Sequence, residues 1–169
     1  MFPYVLYIFL LIELLVISYL DIKYKKIANL WSLLNIVIFI LCLFIYSDIY
    51  EFSLETFFYP LAWLMVGFFL FAVKIMGGGD SKFLFSFFLL IPENYHEPFF
   101  MELIYSTVVV GLFLLIFNTL RKFDTLKVAL VTRDISQVKS IYGTKFSFAP
   151  VIALSWMIFG WEIRSILKF

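Results

Sequence analysis

The stretch FFLFAVKIMGGGDSKFLFSFFLLI, residues 68–91, joins two strongly apolar runs through the segment MGGGDSK at 76–82, which contains three glycines and two charged side chains. Exposed backbone and ionised side chains are unfavourable in the hydrocarbon layer of a membrane, where no water can pair with them. Each apolar run is typical of a membrane-spanning helix. The stretch therefore predicts two such helices that meet at one membrane surface, near 76–82.

The composition of the whole chain indicates a membrane protein rather than a soluble domain. Of its 169 residues, 64% are hydrophobic and 22% are aromatic, and the mean hydropathy is +1.03. A soluble fold cannot hide that much apolar surface. The sequence contains no linker, low-complexity tract or internal repeat, so we expect a single polytopic membrane domain over residues 1–169.

The apolar segments predict an all-α membrane protein with six transmembrane helices. A helix needs about 20 apolar residues to cross the hydrocarbon core. The candidate segments are 2–20, 30–46, 57–73, 83–92, 99–120 and 146–161. The fourth is short, because ten residues give only about 15 Å of helix. It must still cross, since otherwise the most basic loop of the chain would lie outside the cell.

The distribution of charge predicts the orientation of the chain. Lysine and arginine collect in the cytoplasmic loops of membrane proteins. Eleven of the thirteen basic residues follow the first, third or fifth segment, and the loops after the second and fourth contain none. This asymmetry predicts an outside amino terminus and places residues 20–30 and 74–82 at the cytoplasmic face.

The cytoplasmic segment 121–145 has an amphipathic pattern. Its apolar residues are spaced by three and four positions, as on one face of a helix. They are Val128, Val131, Ile135, Val138 and Tyr142. We predict an interfacial helix here, between spans five and six, that is either a surface connector or a lid over a catalytic cavity.

Two aspartates are the candidate catalytic residues. Asp21 ends the first span and Asp80 begins the fourth, and the predicted orientation puts both at the cytoplasmic face. When two carboxylates share a poorly hydrated site, one tends to remain protonated near neutral pH. The ionised member can then take a proton from water while the protonated member polarises a carbonyl group. A plain glycine turn with an aspartate at a helix start, beside an unrelated Asp21, explains the same residues without catalysis.

Neighbouring residues have both functional and structural interpretations. The glycines Gly77, Gly78 and Gly79 allow a substrate backbone or a facing helix to approach closely and can adopt positive φ. Lys82 either tunes the charge of Asp80 or holds an acidic substrate group, or it only flanks the membrane. Asn29 is expected to cap the second span. Glu13, inside the first span, is expected to make a structural polar contact.

Cysteine and histidine give no indication of a metal site. The one cysteine, Cys42, lies in an apolar run, which excludes a disulfide within the chain and a zinc ribbon. The one histidine, His96, lies in a short outer loop and is expected to be solvated. We therefore predict no metal and no cofactor.

The segments DIKYKKIANLWSL (21–33) and GGGDSKFL (77–84) resemble the two signature segments of the type IV prepilin peptidases, which are intramembrane aspartyl proteases of the Gly-x-Gly-Asp type. Asp21, Ile27 and Asn29 match the first segment, and Gly77, Gly78, Gly79, Asp80 and Lys82 match the second. Ala28 stands where the family usually has proline. The segment KFSFAPVIAL (145–154) is loosely similar to the opening of the family's last helix.

The resemblance implies an endopeptidase that removes the basic leader from type IV pilin-like or archaellin-like precursors at the cytoplasmic membrane face, with Asp21 and Asp80 as catalytic residues. Its partners would be a prepilin-like membrane protein and the lipid bilayer, with no nucleic acid. The chain lacks paired Cys-x-x-Cys motifs, so we expect no methyltransferase activity, as in the short Tad-type and archaeal preflagellin peptidases that it resembles. The alternatives are a presenilin-like protease, or a transport or assembly subunit whose aspartates bind protons or cations.

Overall fold

The computed structural model describes residues 3–72, 76–132 and 147–165, and in these ranges the regular structure is helical throughout. The α-helices are α1 Tyr4–Tyr24, α2 Asn29–Ile45, α3 Leu54–Ala72, α4 Gly78–Leu89, α5 His96–Arg121, α6 Phe123–Thr132 and α7 Ala149–Glu162. Short 3₁₀ turns cover Glu93–Tyr95 and Ile163–Ser165. The prediction of an all-α fold is confirmed for this part of the chain.

Helices α1, α3 and α5 (the last together with the 3₁₀ turn before it) are long and apolar enough to cross a membrane. Helices α2 and α7 are apolar but shorter, with 17 and 14 residues. Many large apolar side chains on α3 and α5 are exposed, among them Phe68, Phe69 and Phe113. Such a surface suits contact with lipid, and the apolar helices identify a membrane protein.

Helix α4 lies at the centre of the bundle. Its side chains Phe83, Leu84 and Phe87 have no exposed surface, and the helix packs against both α2 and α3. The ring of Phe87 also meets Trp156 of α7 edge to face. The helix is short, with 12 residues and a length of about 18 Å. Because protein rather than lipid surrounds it, α4 does not need the length of a lipid-facing span.

The far end of α4 is held by side chains from neighbouring elements. His96, at the start of α5, is fully buried, and its Nε2 lies 2.9 Å from the carbonyl oxygen of Phe88 and 2.8 Å from that of Ile91. Tyr50 donates its hydroxyl to the carbonyl oxygen of Leu90 at 2.6 Å. The prediction that His96 is solvated is therefore wrong. The last carbonyl groups of a helix lack partners within it, and His96 and Tyr50 supply donors to this helix end.

Only the start of the predicted interfacial helix can be compared with the structure. Helix α6, Phe123–Thr132, covers the first part of the segment. Residues 133–146, which contain Ile135, Val138 and Tyr142, lie outside the described residues. The amphipathic connector or lid therefore stays a prediction.

Candidate active site

The segment that joins α1 to α2 packs directly on the first turn of α4. At Gly79, a Cβ atom would lie only 2.6 Å from the carbonyl oxygen of Ile27. The absence of a side chain at Gly79 therefore lets the two backbones meet. This contact brings Asp21, near the end of α1, and Asp80, in the first turn of α4, to the same end of the bundle.

Asp80 is a buried carboxyl group, with a relative exposure of 7%. Its Oδ2 accepts a hydrogen bond from the backbone N–H of Gly77 at 2.9 Å, and its own N–H donates to the carbonyl oxygen of Gly77 at 3.1 Å. Burial raises the pKa of Asp80 to about 6; the Gly77 N–H opposes this increase and the nearby charge of Asp21 adds to it. Asp80 can therefore keep its proton at mildly acidic pH.

Asp21 lies inside α1 rather than after its end, because the helix continues to Tyr24. The residue is 3% exposed. Its Oδ2 accepts a hydrogen bond from the backbone N–H of Ala149, the first residue of α7, at 3.3 Å. Burial raises the pKa of Asp21, and the N–H groups at the amino-terminal end of α7 and the charge of Lys25 oppose that increase without cancelling it.

The sequence did not point to the start of α7 as part of this site. The available signal was the segment APV at 149–151, which places a proline in the first turn of α7. Proline is common in the first turn of a helix, because the N–H groups there have no partner within the helix and the N–H that proline lacks is therefore not needed. That pattern indicates a helix start but does not reveal which carboxylate the helix start meets.

The other predicted site residues occupy different positions around α4 and α2. Gly77 precedes α4 and Gly78 begins it, and no described glycine has positive φ. Lys82 is exposed and borders a groove of about 600 Å³ between α3 and α4, which is otherwise largely apolar. Asn29 is the first residue of α2, and Ala28 holds the cap position without a side-chain hydrogen bond. The prediction that Asn29 is the N-cap is wrong by one residue.

Glu13 is buried in the membrane-spanning part of α1 and does not join the aspartate pair. Eight residues separate it from Asp21, which is about 12 Å along a helix. Its carboxyl group interacts with the side chain of Asn35 from α2, and both side chains are almost fully buried. Neither makes a hydrogen bond of good geometry with another described residue.

Comparison with protein families identifies the chain. A family model described as the type IV leader peptidase family matches residues 8–123, which is more than half of the chain. The chain belongs to the type IV leader peptidase family. The predicted resemblance to the type IV prepilin peptidases is thereby confirmed, and this leader peptidase family member is a peptidase of the membrane.

The family match contains both aspartates of the candidate site. It ends at residue 123, so it does not reach α7, whose first residue donates to Asp21. No match was found among curated proteins or among solved structures. Within residues 3–72, 76–132 and 147–165, no three His, Cys, Asp or Glu side chains form a group suited to a metal ion.

Proposed function

We propose that this leader peptidase is an aspartic endopeptidase that removes the basic leader from type IV pilin-like or archaellin-like precursors. The observation that carries the proposal is the pairing of Asp21 with Asp80. Both carboxyl groups are buried at one end of the bundle, and the charge of Asp21 acts on Asp80. In a chain of a peptidase family, such a pair suits hydrolysis of a peptide bond.

The reaction needs one ionised and one protonated aspartate. The ionised aspartate takes a proton from a water molecule, whose oxygen attacks the carbonyl carbon of the scissile bond. The protonated aspartate hydrogen-bonds to the carbonyl oxygen and stabilises the negative charge that develops there. The tetrahedral intermediate then breaks its C–N bond, and the leaving amine receives a proton from the pair.

We further propose six spans, with α2, α4 and α7 crossing beside the three longer helices, an outside amino terminus, and the aspartates at the cytoplasmic face of the cell membrane. The distribution of lysine and arginine supports this orientation. The precursor would lie with its apolar helix in the membrane and its leader in the cytoplasm, so that the junction meets Asp21 and Asp80. The absence of methyltransferase activity stays a prediction.

A cleavage assay tests the proposal. The purified protein is reconstituted in lipid and mixed with a prepilin that has a basic leader, alongside the variants Asp21→Asn and Asp80→Asn. Each substitution should lower the cleavage rate by about 10² to 10⁴-fold, because each removes one acid–base group. Asp48→Asn is the matched control, since Asp48 is exposed in the loop between α2 and α3.

The outcomes separate the candidate functions. Loss of cleavage in both variants, with the control active, supports the aspartic endopeptidase. Cleavage that survives either substitution excludes the pair as its catalytic centre. If the wild-type protein cleaves no prepilin, a transport or assembly role for the aspartates is favoured instead.

A further inference from the structure

Lys25 has a backbone conformation that usually belongs to glycine. It follows the last residue of α1 with φ 53° and ψ 36°, and it is the one non-glycine residue with positive φ in the described part of the chain. Its N–H donates to the carbonyl oxygen of Asp21 at 2.8 Å. A side chain at such a position is strained, so the presence of lysine there calls for an explanation.

The side chain of Lys25 reaches the segment that leads into α7. Its Nζ donates to the hydroxyl oxygen of Ser147 at 2.7 Å, and the Ser147 hydroxyl donates to the carbonyl oxygen of Asp21 at 3.2 Å. Two residues later, Ala149 donates its N–H to the carboxylate of Asp21. Residues 147–149 therefore hold both the main chain and the side chain of Asp21.

The charged groups around Asp21 are few. Lys25 contributes a positive charge that interacts with Asp21, and Asp80 of α4 contributes a carboxyl group. Helix α7, which packs against α1, has no titratable side chain before Glu162 at its other end. Lys25 is thus the cation that acts on Asp21 within the described residues.

We propose that Lys25 and Ser147 are positioning residues that clamp Asp21 against the amino-terminal end of α7 and favour its ionised form, so that Asp21 is the base that activates water. The buried Asp80 is then the protonated partner that polarises the scissile carbonyl. The assignment rests on the proposed endopeptidase function and adds to it the division of roles between the two aspartates. If the hydrogen bond between Lys25 and Ser147 only helped to terminate α1, its removal would not change the rate of cleavage.

The test uses substitutions that separate the clamp from folding. Lys25→Gly removes the side chain but suits the positive φ, so the thermal midpoint should stay equal to that of the wild type or increase. Ser147→Ala removes the hydroxyl link. Lys25→Arg keeps the charge and the donor. Lys26→Gly is the matched control, because it removes the same charge at the neighbouring exposed position.

The readouts are kcat, KM and the pH dependence of prepilin cleavage. Lys25→Gly and Ser147→Ala should each lower kcat roughly 3- to 10-fold, the effect of losing one ordinary hydrogen bond at a partly exposed position, with little change in KM. In Lys25→Gly the acidic limb of the kcat profile should move to higher pH, because Asp21 becomes harder to ionise. Lys25→Arg should restore most of the rate. The double variant should be little slower than either single variant.

If Lys25→Gly keeps the wild-type kcat and its acidic limb does not move, the clamp is overturned. It is also overturned if Lys26→Gly lowers kcat as much as Lys25→Gly does, or if the effects of Lys25→Gly and Ser147→Ala on kcat are strictly additive. If the wild type cleaves prepilin and the clamp variants cleave it at the same rate, the clamp is rejected but the endopeptidase function is not. A wild-type protein that cleaves no prepilin rejects the proposed function as well.

Discussion

Asp80 shows how burial of one carboxyl group links stability to pH. In the folded protein its pKa is about 6, raised mainly by burial from an ordinary value of 3.8. The folded state binds this proton more tightly than the unfolded state, so the protein is most stable below pH 3.8. Its stability falls as the pH rises from 3.8 to about 6, and the total loss is on the order of 3 kcal/mol.

We therefore expect Asp80→Asn to be more stable than the wild type at pH 8 and similar to it at pH 4. Asparagine carries no charge to bury, and its Oδ1 can still accept the N–H of Gly77. Thermal unfolding in detergent at both pH values measures the effect, with Asp48→Asn as an exposed control. A difference of equal size at pH 4 and pH 8 would show that the charge of Asp80 is not its cause.

Gly79 and Gly78 are neighbours with different surroundings, and we predict opposite responses to alanine. In Gly79→Ala the new Cβ would lie 2.6 Å from the backbone of Ile27, so the segment after α1 must move away from α4. We expect a loss of about 1–3 kcal/mol in stability and a clear decrease in cleavage, because the move separates Asp21 from Asp80.

Gly78→Ala is the matched control for that substitution. Its Cβ would lie 3.6 Å from the ring of Phe71, an ordinary contact. Alanine also favours a helix more than glycine does, by up to about 1 kcal/mol. Unfolding and cleavage assays measure the stability and activity of both variants. Equal stability and equal cleavage rates would contradict a special role for the contact between Gly79 and Ile27.

At the scale of elements, hydropathy predicted where the helices are but not where they end. The predicted segments 57–73 and 99–120 differ by one to three residues from α3, Leu54–Ala72, and α5, His96–Arg121. Hydropathy reports which residues tolerate lipid, whereas helix ends are set by local hydrogen bonds. Helix α4 begins at Gly78, before the predicted segment at 83, because Asp80 pairs with the N–H of Gly77.

The far end of α4 gives a second prediction about an element. His96 is the buried donor to the carbonyl groups of Phe88 and Ile91. His96→Ala would leave both without that donor, and we expect the protein to lose about 2–4 kcal/mol of stability. Tyr50→Phe, which removes one hydrogen bond to Leu90, should cost less, about 1–2 kcal/mol.

Thermal unfolding of the two variants, together with amide hydrogen exchange of α4, measures these effects. Exchange should increase at residues near Leu90 before it increases near Gly78, because the lost bonds lie at that end. An unfolding curve of His96→Ala that superimposes on the wild type would contradict the assigned role. The sequence could not reveal this role, because the partners are backbone carbonyl groups, which every residue has.

At the scale of the whole molecule, charge asymmetry relates the two aspartates to each other in a way that neither local segment does. It predicts that Asp21 and Asp80 lie at one face although 58 residues lie between them in the sequence. It could not predict the contact of Asp21 with Ala149, because that contact depends on how α7 packs against α1. Packing between helices is decided by side-chain shape, which hydropathy and charge do not describe.

The orientation itself can be measured with single cysteines. Cys42 is the one native cysteine and is buried, so Cys42→Ser provides a background without reactive thiols. Glu51→Cys, in the loop between α2 and α3, and Lys26→Cys, after α1, replace exposed residues. Because basic residues remain in the cytoplasm, a membrane-impermeant maleimide should label position 51 in intact cells and position 26 only after the membrane is opened.

A cysteine at Gly111, midway along α5 and free of close neighbours, is the control that should remain unlabelled in both conditions, because the surrounding lipid excludes the reagent. Labelling of position 26 in intact cells, with position 51 protected, would show the reverse orientation. The aspartates would then face away from the cytoplasm, and a precursor with a cytoplasmic leader could not present its junction to them. The labelling pattern therefore tests the orientation on which the proposed cleavage depends.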